Sequence, residues 1–145
     1  MKRAVPILLA TAMAALSVPA TAQTIWWPKG QAWPLCSDVI RNNCVVDGDT
    51  IRTGDRRIRL VDLDAPERGD GAKCARERRL GELAAGALSG LLTGGRVSYT
   101  IEGKDRYERG LWRLSVNGAP VADRMIAAGH AVRYGDGRPD WCRRD

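Results

Sequence analysis

The sequence holds a single histidine, His130, and four cysteines with no Cys-x-x-Cys pair among them. Structural zinc sites need closely spaced thiolates and imidazoles, so this scarcity argues against one. An EF-hand is missing too. Counting Asp47 as its first position puts Ile51 fifth and Arg52 where the glycine belongs. Repeats and low-complexity segments are absent, and so is a one-sided charge: 23 basic residues face 17 acidic ones, a net +6. Such a balance suits a polyanionic partner without deciding for one. The apolar run Ala4–Val18 is too short and wrongly flanked for a membrane span, and no later stretch could cross a bilayer. That run follows basic Lys2 and Arg3 and precedes the small-residue site Ala20-Thr21-Ala22. It reads as a signal peptide over 1–22, which implies export to the periplasm or the medium. What remains is long enough for one domain with a modest core. The expected division is an arm at 23–42 and a folded domain at 43–145.

What the chain does contain is organised around Val45–Glu67. Two β-rich runs, Val45–Thr53 and Arg57–Leu63, flank the turn signal Thr53-Gly54-Asp55, which predicts a hairpin. Asp47 and Asp49 lie at one far end, and Asp62, Asp64 and Glu67 at the other. A hairpin brings its far ends together, and acids so gathered repel one another unless a positive charge joins them. Carboxylate oxygens suit a hard cation such as Ca²⁺ or Mg²⁺.

The arm carries Trp26, Trp27, Trp33, Pro28 and Pro34. Its prolines point to an extended segment laid over the body rather than a central strand, and its tryptophans to packing ahead of base stacking. Apolar residues at Leu80, Leu83, Ala84, Ala87, Leu88, Leu91 and Leu92 give Ala75–Leu92 the period of an amphipathic helix. Gly81, Gly86 and Gly90 weaken that helix by up to about 1 kcal/mol each. Arg96–Glu102 and Leu111–Val116 read as strands, and Val121–Ala128 as a short helix bounded by Pro120 and Gly129. The expected fold is mainly β with one longer and one short helix, in the order of a small five-stranded OB-fold barrel. Export favours disulfides. Pairing sequence neighbours is the cheaper loop closure, which gives Cys36–Cys44 and, by elimination, Cys74–Cys142.

Asp49 and Asp64 are the candidate cation ligands, with Glu67 placed to accept a proton from water. Arg59, in an apolar strand, and Arg109, in the Asp105–Arg109 loop, are each by default solvated charges. Two guanidiniums beside a cation site form a phosphate clamp, since arginine binds phosphate oxygens bidentately. Strict alternation nevertheless puts Arg59 and Asp64 on opposite strand faces. Sharing a site therefore requires a bend or bulge before Asp64.

Three spaced motifs carry a resemblance. Asp47-Gly48-Asp49-Thr50, then Arg59 with Asp64-x-Pro-Glu67, then Asp105-Arg106-Tyr107-x-Arg109-Gly110-Leu111 resemble the thermonuclease (staphylococcal nuclease-like) family, in order from about Asn43 to Tyr134. The resemblance implies an OB-fold nuclease with one Ca²⁺ near Asp49, Asp64 and the carbonyl of Ala65. Asp47 and Thr50 would support those ligands, Glu67 would activate water, and Arg59 and Arg109 would hold the phosphate. Tyr107 and Tyr134 would contact the nucleotide. The implied reaction is endo- or exonucleolytic hydrolysis of DNA or RNA with little base preference, by a monomer without a stable protein partner.

This chain departs from the family pattern in two places that bear on activity. Ala65 replaces a threonine, which matters little if only its carbonyl is used. Glu108 replaces a glycine, which invites pairing with Arg109 and strain if the position needs positive φ. Two other readings follow from the same residues. One is an OB-fold module that binds nucleic acid without cutting it; the other is an exported structural domain holding a structural Ca²⁺.

Overall fold

A computed structural model describes residues 24–143; the expected signal segment at 1–22 lies outside them. The elements run β1 (Ile25–Trp26), β2 (Cys44–Asp47), β3 (Thr50–Thr53), β4 (Arg56–Leu60), β5 (Leu63–Asp64), α1 (Ala75–Thr93), β6 (Val97–Lys104), β7 (Gly110–Val116), β8 (Ala119–Pro120), α2 (Val121–Ala127) and β9 (Val132–Arg133). The main sheet is ordered β1-β6-β7-β4-β3-β2, with β8 on β7, and β5 pairs with β9 in a second, two-stranded ladder. A mainly β fold with two helices is therefore present. The expected five-stranded barrel is not closed, because the described strands form an open path whose ends, β1 and β2, are not laddered together.

The hairpin lies where the Gly54 turn signal puts it. Gly54 has φ 54°, and β3 pairs with β4 in the register Thr50↔Arg59 and Ile51↔Ile58. Alternation buries Ile51, Ile58 and Leu60 in the core. The single run expected over Val45–Thr53 is split at Gly48-Asp49 into β2 and β3, with a register shift between Val45 and Asp47. That tight turn fits because Gly48 has no side chain. A Cβ there would lie 2.7 Å from the Cβ of Ala84 and 2.8 Å from that of Ala65.

Helix α1 turns Ala84, Ala85, Leu88 and Leu92 inward, while Leu83, expected on the apolar face, is exposed. Its N-terminus is capped by Cys74, whose Sγ accepts from the amide of Glu77 at 3.3 Å. Gly81, which weakens the helix in isolation, has a packing reason: a Cβ there would collide with the carbonyl of Glu67. The helix and the Pro66-Glu67 segment thus touch backbone to backbone.

Most of the arm packs onto the body, but Trp26, expected to pack with it, is 45% exposed under the Arg96 guanidinium. Trp33 is fully buried and Trp27 sits against Trp33, Tyr99 and Trp112. β1 adds an edge strand to β6, in the register Ile25↔Tyr99. The cysteine pairs Cys36–Cys44 and Cys74–Cys142 both lie at bonding distance. Among the described residues no helix is long and apolar enough to cross a membrane.

Candidate active site

The parity problem between Arg59 and Asp64 is resolved by a break in the chain. β4 ends at Leu60, Asp62 adopts φ 73°, and a new strand begins at Leu63. A left-handed residue reverses the alternation, so Arg59 and Asp64 come to one side. Arg59 Nη2 donates to Asp64 Oδ1 at 3.1 Å and to the carbonyl of Leu63 at 3.3 Å, while Nη1 ion-pairs Asp49. One guanidinium between two carboxylates leaves this largely buried trio with a net negative charge. Burial pulls the Arg59 guanidinium down, but Asp49 and Asp64 outweigh it and hold its pKa above the ordinary value.

Asp49 is fixed from three sides. Its Oδ1 accepts from Thr50 Oγ1 at 3.0 Å, its Oδ2 accepts from the amide of Ala65 at 2.9 Å, and Arg59 pairs with it. Asp47 stands behind, accepting from the amide of Asp49 at 3.3 Å. Burial, and then the neighbouring charge of Asp49, push the Asp47 carboxyl up to about 7. Glu67 reaches the same place from the end of the Asp64–Glu67 segment. Its amide donates to Oε1 of Glu77 at 3.3 Å, and the other oxygen of Glu77 accepts from the amide of Lys73 at 2.8 Å. Glu77 is almost wholly buried in the first turn of α1.

An open cavity of about 450 Å³ lies over this cluster, lined by Arg59, Glu67, Asp105, Arg109, Tyr134 and Arg138 among others. Arg109 is held by Asp105, which accepts from its amide at 3.0 Å and its Nε at 2.7 Å. Desolvation raises the Asp105 carboxyl, but these bonds, with that from the amide of Tyr107, carry it below the ordinary value. Glu108 does adopt positive φ, 62°, yet its carboxylate pairs with Lys104 at 2.8 Å rather than with Arg109. Tyr134 lines the cavity; Tyr107 instead borders an adjacent groove with Arg56, Arg57 and Lys104.

Asp47, Asp49, Thr50, Arg59, Asp64, Ala65 and Glu67 are thus brought together, and Arg109 and Tyr134 face the same cavity. Motif reading assigns no role to three further residues, although Asp105 lies within the third motif. Asp105 and Glu77 are buttresses of Arg109 and of the Glu67 segment. Arg138 stands in the C-terminal loop with Nη2 3.0 Å from Oε1 of Glu67. For Asp105 the four-residue spacing to Arg109 was an available signal; no periodicity or spacing marks Arg138.

Comparison with known proteins decides the family. The family model described as staphylococcal nuclease homologue matches residues 57–141. The chain belongs to this family. It is 36% identical over 110 residues to a protein named "Uncharacterized endonuclease" from Escherichia coli O157:H7, covering 71% of this chain and 67% of that one. Its likeness to the Escherichia coli protein of the same name is equal in identity and coverage. It is also 34% identical over 100 residues to "Succinoglycan biosynthesis protein ExoI" of Rhizobium meliloti strain 1021, covering 65% of this chain and 51% of that relative. The staphylococcal nuclease homologue domain makes this protein a nuclease, hence a phosphodiester hydrolase acting on nucleic acid.

The residues present fit a hard divalent cation. Among the described residues no three carboxylate, imidazole or thiolate side chains converge enough to hold a metal unaided. Asp49, Asp64 and the carbonyl of Ala65 nevertheless form an all-oxygen set, and guanidiniums stand where a cation would: Arg59 on both carboxylates, and Arg138 Nη2 3.5 Å from the Ala65 carbonyl. Two carboxylates and one carbonyl leave the remaining positions of a six- to eight-coordinate ion to water.

Proposed function

We propose that this protein is an exported, Ca²⁺-dependent nuclease that cuts DNA or RNA with little regard for sequence. The observation that carries the reading is that Arg59, held by Asp49 and Asp64, lines one cavity together with Glu67 and Arg109. Asp49, Asp64 and the Ala65 carbonyl would hold the cation, which supplies Lewis-acid polarisation of a phosphoryl oxygen. Asp47 and Thr50 keep Asp49 in place through the bonds already described. Glu67, aimed by the buried Glu77, takes a proton from the attacking water. Arg59 and Arg109 bind the phosphate and meet the charge that develops on it. Tyr134 offers its ring at the mouth of the cavity and Tyr107 at the neighbouring groove, where nucleotides flanking the cut would pass. Contacts of this kind go to phosphate and carry no base information directly. The two cysteine pairs favour an oxidising compartment, and 43–145 is the segment we assign to the nuclease domain.

Replacing Glu67 by alanine separates cutting from binding. Cleavage of denatured DNA and of RNA is expected to fall by about 10²- to 10⁴-fold, with retention in a gel shift preserved. Equal cleavage by parent and variant would overturn the role given to Glu67. A module that binds without cutting would show no cleavage in either.

A further inference from the structure

Arg138 lies on oxygens that this reading gives to the cation and to Glu67. Its Nη2 is 3.0 Å from Glu67 Oε1, 3.5 Å from the Ala65 carbonyl and 3.7 Å from Glu77 Oε1, and its Nη1 is 3.7 Å from Asp64 Oδ1. Burial lowers the pKa of this guanidinium, but the hydrogen bond to Glu67 and the charges of Asp64 and Asp49 more than restore it. One cation therefore serves four oxygen-bearing groups. The position is built rather than incidental. Arg138 is followed by Pro139 and, four residues on, by Cys142, which pairs with Cys74 at the cap of α1. Arg76 Nη1 secures the same tail by donating to the carbonyl of Trp141 at 2.8 Å. Its anchor is therefore the helix start that also carries Glu77.

A guanidinium and a divalent cation cannot share these oxygens. Both carry full positive charge, and at such separations in a partly desolvated pocket their repulsion is strong. The cavity offers the guanidinium another place, since Arg138 already lines it beside Arg59 and Arg109. A phosphate entering there would meet three arginines rather than two.

We infer that Arg138 is an exchangeable third arginine of the site: in the free protein its guanidinium rests on Glu67, Asp64 and the Ala65 carbonyl, and when the divalent cation takes the Asp64 and Ala65 oxygens that guanidinium moves onto the substrate phosphate. This rests on the proposed nuclease reading and extends it to a residue outside the three motifs. The exchange is linkage between two cations for one set of oxygens, so removing one must strengthen the other. Removing Arg138 should also weaken the phosphate it would have met.

The test is calorimetric titration of the oxidised, full-length protein, beginning with Ca²⁺ alone. Parent, Arg138→Ala and Arg138→Lys are compared, with Arg138→Gln in reserve should the alanine variant fail to fold. A single-stranded oligonucleotide with uncleaved phosphorothioate linkages is then titrated in saturating Ca²⁺. Arg138→Ala or Arg138→Gln is expected to bind Ca²⁺ about tenfold more tightly and the oligonucleotide several-fold more weakly, while Arg138→Lys stays near the parent in Ca²⁺ affinity. Opposite signs are the signature, because a residue that merely props the loop would weaken both on removal. Unchanged or weaker Ca²⁺ binding by the alanine and glutamine variants, with the parent binding normally, would overturn the exchange and leave the nuclease reading standing. A parent that binds no Ca²⁺ would overturn both.

Discussion

Between Asp49 and Asp64 the Arg59 guanidinium carries two ion pairs at once and is largely buried while still lining the cavity. Removing one partner of such a group leaves a buried charge uncompensated, at a cost of about 3–5 kcal/mol. Arg59→Ala is therefore expected to lower thermal stability in chelator as well as abolish cutting, whereas Arg109→Ala, whose partner Asp105 is near solvent, should lose activity with little change in Tm. Asp47 gives a pH-dependent counterpart. Its folded pKa, about 7, lies above the ordinary 3.8, so the folded state binds its proton more tightly than the unfolded chain. The penalty is complete above pH 7 and is relieved as pH falls from 7 towards 3.8. Asp47→Asn is thus expected to be more stable than the parent at pH 8 in chelator. The gain should shrink steadily at pH 5; denaturant melts at the two pH values measure it. Glu108 sits at φ 62°, which glycine adopts freely. Glu108→Gly is expected to raise stability by about 1 kcal/mol, read as a shift in urea midpoint, with the Arg109–Asp105 pair undisturbed.

At the scale of elements, the hairpin, the long helix and the strands β6 and β7 were legible because each has a period and a boundary signal, at Gly54 for the hairpin, Gly94-Gly95 after the helix and Asn117-Gly118 after β7. The break at Asp62 was legible only as a requirement. Alternation alone set Arg59 and Asp64 apart, and nothing in Leu-Val-Asp-Leu announces a left-handed residue. The short β5–β9 ladder had no signal of its own, since two-residue strands have no period and take their register from tertiary contacts. Gly81 shows the converse. Read locally it is a weakness in α1, whereas in place it lets the helix meet the Glu67 backbone. Gly81→Ala is therefore expected to destabilise the fold, by about 1–3 kcal/mol of overpacking, and to lower kcat, although helix propensity alone would favour the change. Urea denaturation beside steady-state kinetics checks both halves. The cysteine pairs differ in reach, closing separations of 8 and 68 residues. In the chain-entropy account, losing Cys74–Cys142 should cost about 4 kcal/mol and losing Cys36–Cys44 about 2.5 kcal/mol. Paired serine variants compared by urea unfolding measure that difference.

For the whole molecule, a site of arginines around a cation-binding floor fits a polyanionic substrate held by charge. Binding of single-stranded DNA is expected to weaken steadily as salt rises, with log K linear in log salt and a slope of about −0.7 per phosphate contacted. Arg138 shows where reading the chain stops. Its loop, Gly135–Pro139, has no period, and it is carried back over Glu67 by the closure of Cys74 with Cys142 and the Arg76–Trp141 bond, neither of which a local pattern announces. The open sheet path, in place of the expected closed barrel, likewise depends on how far ladders extend at the ends, which strand order does not state. The measurement that bears most directly on the account is digestion of denatured DNA and of RNA by the oxidised protein, in Ca²⁺ and in EDTA, with Glu67→Ala alongside. Cutting in Ca²⁺ that stops in EDTA and in the variant is the expected result. Cutting that continues undiminished in EDTA, or intact substrate in Ca²⁺, would contradict it.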